Sequence, residues 1–213
     1  MFVACSTLCF GRQPLPDALR TISELGFNKV DVAVREDGPH LKPSEVAADV
    51  GRAVLQLRAG HGLTVAALHV EPAAGLSREQ TAEQLKAVCR LARVLATPLV
   101  SIPAVAAGTD PAAEAERLTW LSRLARFEGV ALTVETRTGT LTEDPVAAVE
   151  LCRSVPGLGI ALDPSHYLIG THHDDSLDAL YPYVQHVRLR DTSGKTNQFQ
   201  VRIGQGEVEY GRI

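Results

Sequence analysis

Two hydrophobic periods take turns along this chain. Short runs of apolar residues, alternating or nearly continuous, occupy 2–6, 29–34, 63–70, 99–102, 130–135, 159–163 and 184–190. They are rich in Val, Ile, Leu and Thr and recur roughly every 30 residues, the length of a strand–helix–strand unit. They predict seven β-strands. Between them, apolar residues recur three and four positions apart, as in an amphipathic helix. One helix is predicted over 15–25, ended by Gly26 as a natural C-terminal glycine. Val46, Val50, Val54 and Leu57 share one face of a second. Ser77 and Gln80 form a capping-box pair ahead of a third, whose apolar face carries Leu85, Val88, Cys89, Ala92 and Leu95. Asp110-Pro111 and Asp144-Pro145 open two more, each a cap followed by a proline whose missing N–H is not needed there. A sixth, over 176–181, is short.

Strict strand–helix alternation predicts a parallel sheet, either open and doubly wound or closed into a barrel. Two features favour the barrel. No GxGxxG or GxxxxGK[ST] loop follows the first strand. The strands also have unequal faces. Val130, Leu132 and Val134 oppose Ala131, Thr133 and Glu135, and Val187 and Leu189 oppose His186, Arg188 and Arg190. A bulky apolar face suits packing on outer helices, and a small or polar one suits a barrel interior opening to a mouth. A sheet buried on both faces would be almost uninterrupted Val, Ile and Leu. A (β/α)8 TIM barrel has eight strands and ~250 residues. With seven strand signals and a stop soon after Gly204-Gln205-Gly206, the expectation is a single-domain barrel over 1–213 whose eighth unit is missing. Open strand edges invite pairing, so a homo-oligomer is expected.

Composition narrows the partners. The chain has 213 residues, 45% apolar and 22% charged, with a net charge of −4. That balance carries no bias toward nucleic acid or an anionic membrane. No run approaches the ~20 apolar residues of a membrane helix. The apolar start at Phe2 lacks a basic flank and enters Ser6, Thr7 and Gly11, so it is read as a strand and not as a signal peptide. Cys5, Cys9, Cys89 and Cys152 have neither metal nor redox spacing, as in a reduced, cytoplasmic protein.

Candidate chemistry sits where strands end. Glu135, Asp163 and Arg188 terminate three successive predicted strands, the position at which α/β barrels place active sites. Two carboxylates on one face suit Mg2+, Mn2+ or Zn2+, and a nearby imidazole favours the last two. His166, three residues after Asp163, is a candidate for a metal or a substrate hydroxyl. His69 ends the third strand with inner-face parity, and Asp31 occupies a similar place on the second. Each also has a plain structural reading: the carboxylates as helix caps, His69 as a core histidine. His172-His173 read as a surface loop.

LGFNKVDVAV, VETRTG, LDPSHY, HVRLRD and VRIGQGEVEYGRI, in this order, resemble the xylose-isomerase-like TIM-barrel superfamily. This group holds sugar and sugar-phosphate isomerases and epimerases and the endonuclease IV type of AP endonuclease. The resemblance implies a divalent metal at the barrel mouth, with Glu135 and Asp163 as two of its four ligands. It implies His166 as a catalytic or substrate contact, Arg202 as a substrate contact, and glutamates, Glu135 among them, that shuttle a proton through a metal-stabilised enediolate. The chain departs from the family in two of the four ligand positions, and in one of them HVHLKD is replaced by HVRLRD, which puts Arg188 where a neutral ligand belongs. His186 lies two residues deeper, and the eighth-strand glutamate has no counterpart before Ile213.

Three readings follow. One is a metal-assisted isomerase or epimerase acting on a small polyhydroxy carbonyl compound, with His69, His166, Arg188 and Arg202 binding it. The second is a metal-free, small-molecule-binding relative in which Arg188 replaces the metal. The third, an AP-endonuclease-like phosphodiesterase, needs many more His and acidic ligands and a basic DNA face than this chain has.

Overall fold

The computed structural model describes residues 2–59, 62–173, 175–194 and 198–212. Its elements alternate as the periodicity predicts. They are β1 (Cys5–Ser6), α1 (Leu15–Glu24), β2 (Lys29–Arg35), α2 (Pro43–Ala48), α3 (Val50–Arg58), β3 (Thr64–Glu71), α4 (Arg78–Val94) and β4 (Leu99–Pro103). Then come α5 (Pro111–Phe127), β5 (Ala131–Glu135), α6 (Pro145–Ser154), β6 (Gly159–Leu162), α7 (Pro164–Ile169), β7 (Val184–Val187), β8 (Asp191–Ser193) and β9 (Gln198–Val201). Strand order in the main sheet follows chain order from β1 to β7, and β8 and β9 form a separate antiparallel pair. Chain-order neighbours joined by helical crossovers are the βα repeat of a parallel α/β fold.

The chain groups into two compact units, Met1–Ile102 with Arg123–Leu132, and Pro103–Ser122 with Thr133–Ile213. In the first, β1, β2, β3 and β4 pair in parallel, with Ala33 opposite His69 and His69 opposite Ser101. Ala18, Leu19 and Ile22 of α1 and Leu85, Val88, Leu91 and Ala92 of α4 are buried, as are Val32, Val34 and Leu68 of the strands. Each buried Val, Leu or Ile contributes about 1.5–3 kcal/mol. The capping box at Ser77 and Gln80 is present in both directions. The second predicted helix is two: Asp49 breaks it, ending α2 and capping α3 by accepting a hydrogen bond from the Arg52 N–H. An Asn/Asp-type side chain offers the backbone such a local alternative to a continuous helix.

In the second unit, Glu135 lies opposite Ala161, and Ala161 opposite His186. Asp110 accepts from the Ala112 N–H and Asp144 from the Val146 N–H, both as their Asp-Pro pairs predict. The predicted helix over 176–181 is absent; a 3₁₀ turn at Tyr181–Tyr183 leads into β7 instead. Two elements have no precedent in the periodicity, α7 and the β8–β9 pair. β7 also ends at Val187, short of the predicted 190. Arg190 explains why: its N–H donates to the Tyr210 hydroxyl at 2.7 Å, which in turn donates to the Arg190 carbonyl at 2.7 Å. A side chain takes the bonds a neighbouring strand would have made.

Candidate functional site

The second unit gathers Glu135, Asp163, His166, Arg188 and Arg190. Glu135 closes β5 and is held from behind by Thr142, whose hydroxyl donates to the Glu135 carbonyl at 2.6 Å. Asp163 follows β6 directly. Its N–H donates to the Thr136 hydroxyl at 2.8 Å, which locks the ends of β5 and β6 together. The Asp163 carboxylate caps α7, and Pro164 occupies the first helical position. Asp163 Oδ1 accepts from the Ser165 N–H at 3.2 Å and from the Ser165 hydroxyl. The sequence Asp-Pro-Ser-His therefore builds its own cap and lifts His166 to the end of the first helical turn.

Arg188 lies beyond β7, yet its N–H still donates to the Leu162 carbonyl at 2.8 Å. That bond carries its side chain to the end of β6. Arg188 Nη1 lies 3.2 Å from Glu135 Oε1, and Arg190 Nη2 lies 3.4 Å from Asp163 Oδ2. All four groups are largely buried: the Glu135 and Asp163 side chains are 4% and 0% exposed, and those of Arg188 and Arg190 are 11% and 26%. Two polar atoms here are buried and make no hydrogen bond among the described residues, Arg188 Nε and Asp163 Oδ2.

His166 adjoins these two ion pairs. Its Nδ1 accepts from the Thr138 N–H at 3.2 Å, so in the neutral ring the proton is on Nε2, 3.9 Å from Asp163 Oδ2. Burial lowers the imidazole pKa to about 4. The Asp163 carboxylate opposes this shift, while Arg190, Arg137 and Arg188 add to it. The imidazole is therefore neutral at physiological pH. Phe199 of β9 packs edge-on against His166, ring centroids 4.6 Å apart, and the Arg190 guanidinium lies 5.0 Å from the Phe199 ring centre. Three residues of this site were not singled out by the sequence: Arg190, Phe199 and Tyr210. The HVRLRD motif offered a signal for Arg190, whose parity matches that of Arg188. Phe199 and Tyr210 had none.

His69 and Asp31 are buried on β3 and β2 of the first unit. Arg202 is exposed just after β9, where its carbonyl accepts from the Gln205 N–H. His172 is in a turn, with Nδ1 2.7 Å from Asp175 Oδ2.

A divalent ion suits this arrangement poorly. Each carboxylate already faces a guanidinium, and a guanidinium can neither lose its proton nor donate a lone pair. Among the described residues, no three His, Cys, Asp or Glu side chains converge to hold an ion. No helix among them is long and apolar enough to cross a membrane.

A family model described as xylose isomerase-like TIM barrel matches residues 19–213. No curated protein matches the chain. Several solved structures are similar in fold. One is the probable 3-DHS dehydratase AsbF of Bacillus anthracis, involved in petrobactin synthesis, with a TM-score of 0.76 and 20% identity, over 100% of this chain and 87% of that one. Another is a xylose isomerase-like TIM barrel protein of Mycobacterium smegmatis in complex with magnesium, with a TM-score of 0.78 and 18% identity, over 99% and 83%. A third is the 3-keto-D-glucoside 4-epimerase YcjR of E. coli in its apo form, with a TM-score of 0.71 and 13% identity, over 100% and 85%. At these identities the likeness carries the fold alone.

Proposed function

This chain belongs to the xylose isomerase-like TIM barrel family, and from that premise we propose that it acts on a small polyhydroxy carbonyl compound as an isomerase- or epimerase-like protein that does not use a metal. The observation that carries this reading is the Arg188–Glu135 pair at 3.2 Å. A guanidinium beside a carboxylate supplies the two parts that proton transfer next to a carbonyl requires. Glu135 takes the proton from the carbon beside the carbonyl. The C–H electron pair becomes a carbon–carbon double bond, and the carbonyl oxygen takes up negative charge. Arg188 meets that charge with fixed donors in a buried site, where preorganised donors act most strongly. Return of the proton to the neighbouring carbon, while the proton of the adjoining hydroxyl passes to the former carbonyl oxygen, isomerises the compound; return of a proton to the first carbon from its opposite face epimerises it. His166, neutral with Nε2–H as donor, is placed to hold a substrate hydroxyl.

Incubation with aldoses and ketoses in deuterium oxide tests this. Deuterium is expected to enter the carbon beside the carbonyl, to persist after chelator treatment, and to vanish in Glu135→Gln. Exchange that stops with the chelator would restore a metal-assisted mechanism. A second reading, binding without chemistry, is favoured by the engagement of Glu135 Oε1 with Arg188. Calorimetric binding of a sugar without exchange would establish it.

A further inference from the structure

Cys5 and Cys9 have no redox spacing in the sequence, yet in the fold their side chains are hydrogen-bonded to each other. Cys5 lies in β1, which is first in the strand order and pairs with β2 at Cys5 and Ser6. The chain then enters a 3₁₀ turn, Thr7–Phe10, capped by the Ser6 hydroxyl, which accepts from the Leu8 N–H at 3.3 Å. That turn returns Cys9 to Cys5. Contacts with neighbouring segments fix it in place. The buried Thr7 hydroxyl accepts from the Ala33 N–H of β2 at 2.9 Å, and just past the turn the Gln13 carbonyl accepts from His40 Nε2 at 3.2 Å. The four cysteines differ in access: Cys9 is exposed, Cys5 half-buried, Cys89 and Cys152 buried. The hydrogen bond with Cys9, and burial, push the Cys5 thiol up, so it keeps its proton. Burial pushes Cys89 and Cys152 up to about 12. Oxidation of a cysteine follows its thiolate character and exposure. Cys9 is therefore the sulfur an oxidant meets, with a second thiol already in contact with it.

We propose that Cys9 and Cys5 form a peroxide-responsive dithiol, with Cys9 as the reacting sulfur and Cys5 as the resolving one. The Cys9 thiolate attacks one oxygen of a hydroperoxide. The O–O bond breaks, Cys9 becomes a sulfenic acid, and the other oxygen takes a proton and leaves as water or an alcohol. The Cys5 sulfur then attacks the Cys9 sulfur. An S–S bond forms, the S–O bond breaks, and the departing hydroxide takes the Cys5 proton and leaves as water. The two thiols are oxidised to a disulfide and the hydroperoxide is reduced. Exchange with an external thiol returns both cysteines to the starting state. In proteins kept reduced, such transient disulfides are the ones used in redox sensing or catalysis. Here the bond ties the first strand of the sheet to the turn that follows it. This chemistry is independent of the carbonyl chemistry proposed above.

Treating the reduced full chain with hydrogen peroxide, then alkylating and digesting it with trypsin, tests this. Both thiols fall in one peptide, residues 1–12. That peptide is expected to appear two hydrogens lighter and unalkylated, the intact mass to remain that of a single chain, and dithiothreitol to restore the thiols. Cys89 and Cys152 are expected to stay thiols throughout. In Cys5→Ser, Cys9 is expected to accumulate as a sulfenic acid that dimedone traps, with no loss of two hydrogens. In Cys9→Ser, Cys5 is expected to stay a thiol over the same time. If a variant fails to fold by circular dichroism, the peptide of the unmodified chain decides the matter. Oxidation of Cys9 to a sulfinic acid with Cys5 still a thiol overturns the pairing. So does a disulfide between two chains, or the absence of change at both residues.

Discussion

Arg188 and Glu135 respond differently to the loss of one partner and to the loss of both. With the Arg188 side chain 11% exposed and that of Glu135 4%, the pair has lost most of its water. Breaking a buried pair from one side leaves an uncompensated charge and costs about 3–5 kcal/mol, whereas replacing both partners by apolar groups is often close to neutral. Glu135→Ala is therefore expected to lower stability by about 3–5 kcal/mol, read from the denaturant midpoint, and Glu135→Ala with Arg188→Met is expected to recover most of that loss. A double variant as unstable as the single one would show that Arg188 is not stranded by the loss of Glu135. The same guanidinium repels a divalent cation. Calorimetry of the unmodified chain with Mn2+ or Zn2+ is expected to show no stoichiometric binding, and Arg188→His is expected to raise affinity by replacing a fixed cation with a neutral donor. Tight binding by the unmodified chain would contradict the guanidinium's placement beside Glu135.

At the scale of elements, the β8–β9 pair and the loop after it are organised around one carboxylate. Asp191 Oδ2 accepts from the Gly204 and Gly206 N–H groups, each at 2.8 Å, and Oδ1 accepts from Thr192 at 3.0 Å and Val208 at 3.3 Å. Burial pushes this carboxyl up, but the N–H groups of Gly206, Val208, Gly204 and Thr192 outweigh it and hold the pKa below the ordinary value. A depressed carboxyl contributes stability that is present above its unfolded pKa of about 3.9 and is lost as pH falls from there through the folded value. Denaturant midpoints measured down an acid series are expected to fall in that window, and less steeply in Asp191→Ala. Equal slopes would remove Asp191 from the account. Glycine at 206 is required for a separate reason: a Cβ there would collide with the Asp191 carboxylate and the Thr192 carbonyl. Gly206→Ala is expected to cost about 1–3 kcal/mol of stability, as overpacking does, read from the thermal midpoint. An unchanged midpoint would mean that the loop opens freely.

Across the whole molecule, net charge sets what approaches it. At −4 the chain has no general attraction for a phosphate backbone, whose binding depends on neutralisation by Lys and Arg. No cleavage of abasic duplex DNA is expected, even at low salt, where such attraction is strongest; a nicked product on a denaturing gel would reopen the phosphodiesterase reading. The order of strands and helices, the breaks at Asp-Pro and the capping box at Ser77 were legible in the sequence because each rests on residues within a turn or two of one another. Glu135, Asp163 and Arg188 were legible as a group because strand period and strand ends are local too. The partnerships were not. Arg188 takes Glu135 and Arg190 takes Asp163, Phe199 packs on His166, and the Tyr210 hydroxyl ends β7. Each joins residues tens of positions apart, and its outcome depends on strand register and on how a loop returns to the sheet, neither of which any short stretch of sequence contains. Local sequence alone determined the elements and the identities of the charged groups at their ends; tertiary structure decided which charge neutralises which, because that is a matter of distances set by the packed chain.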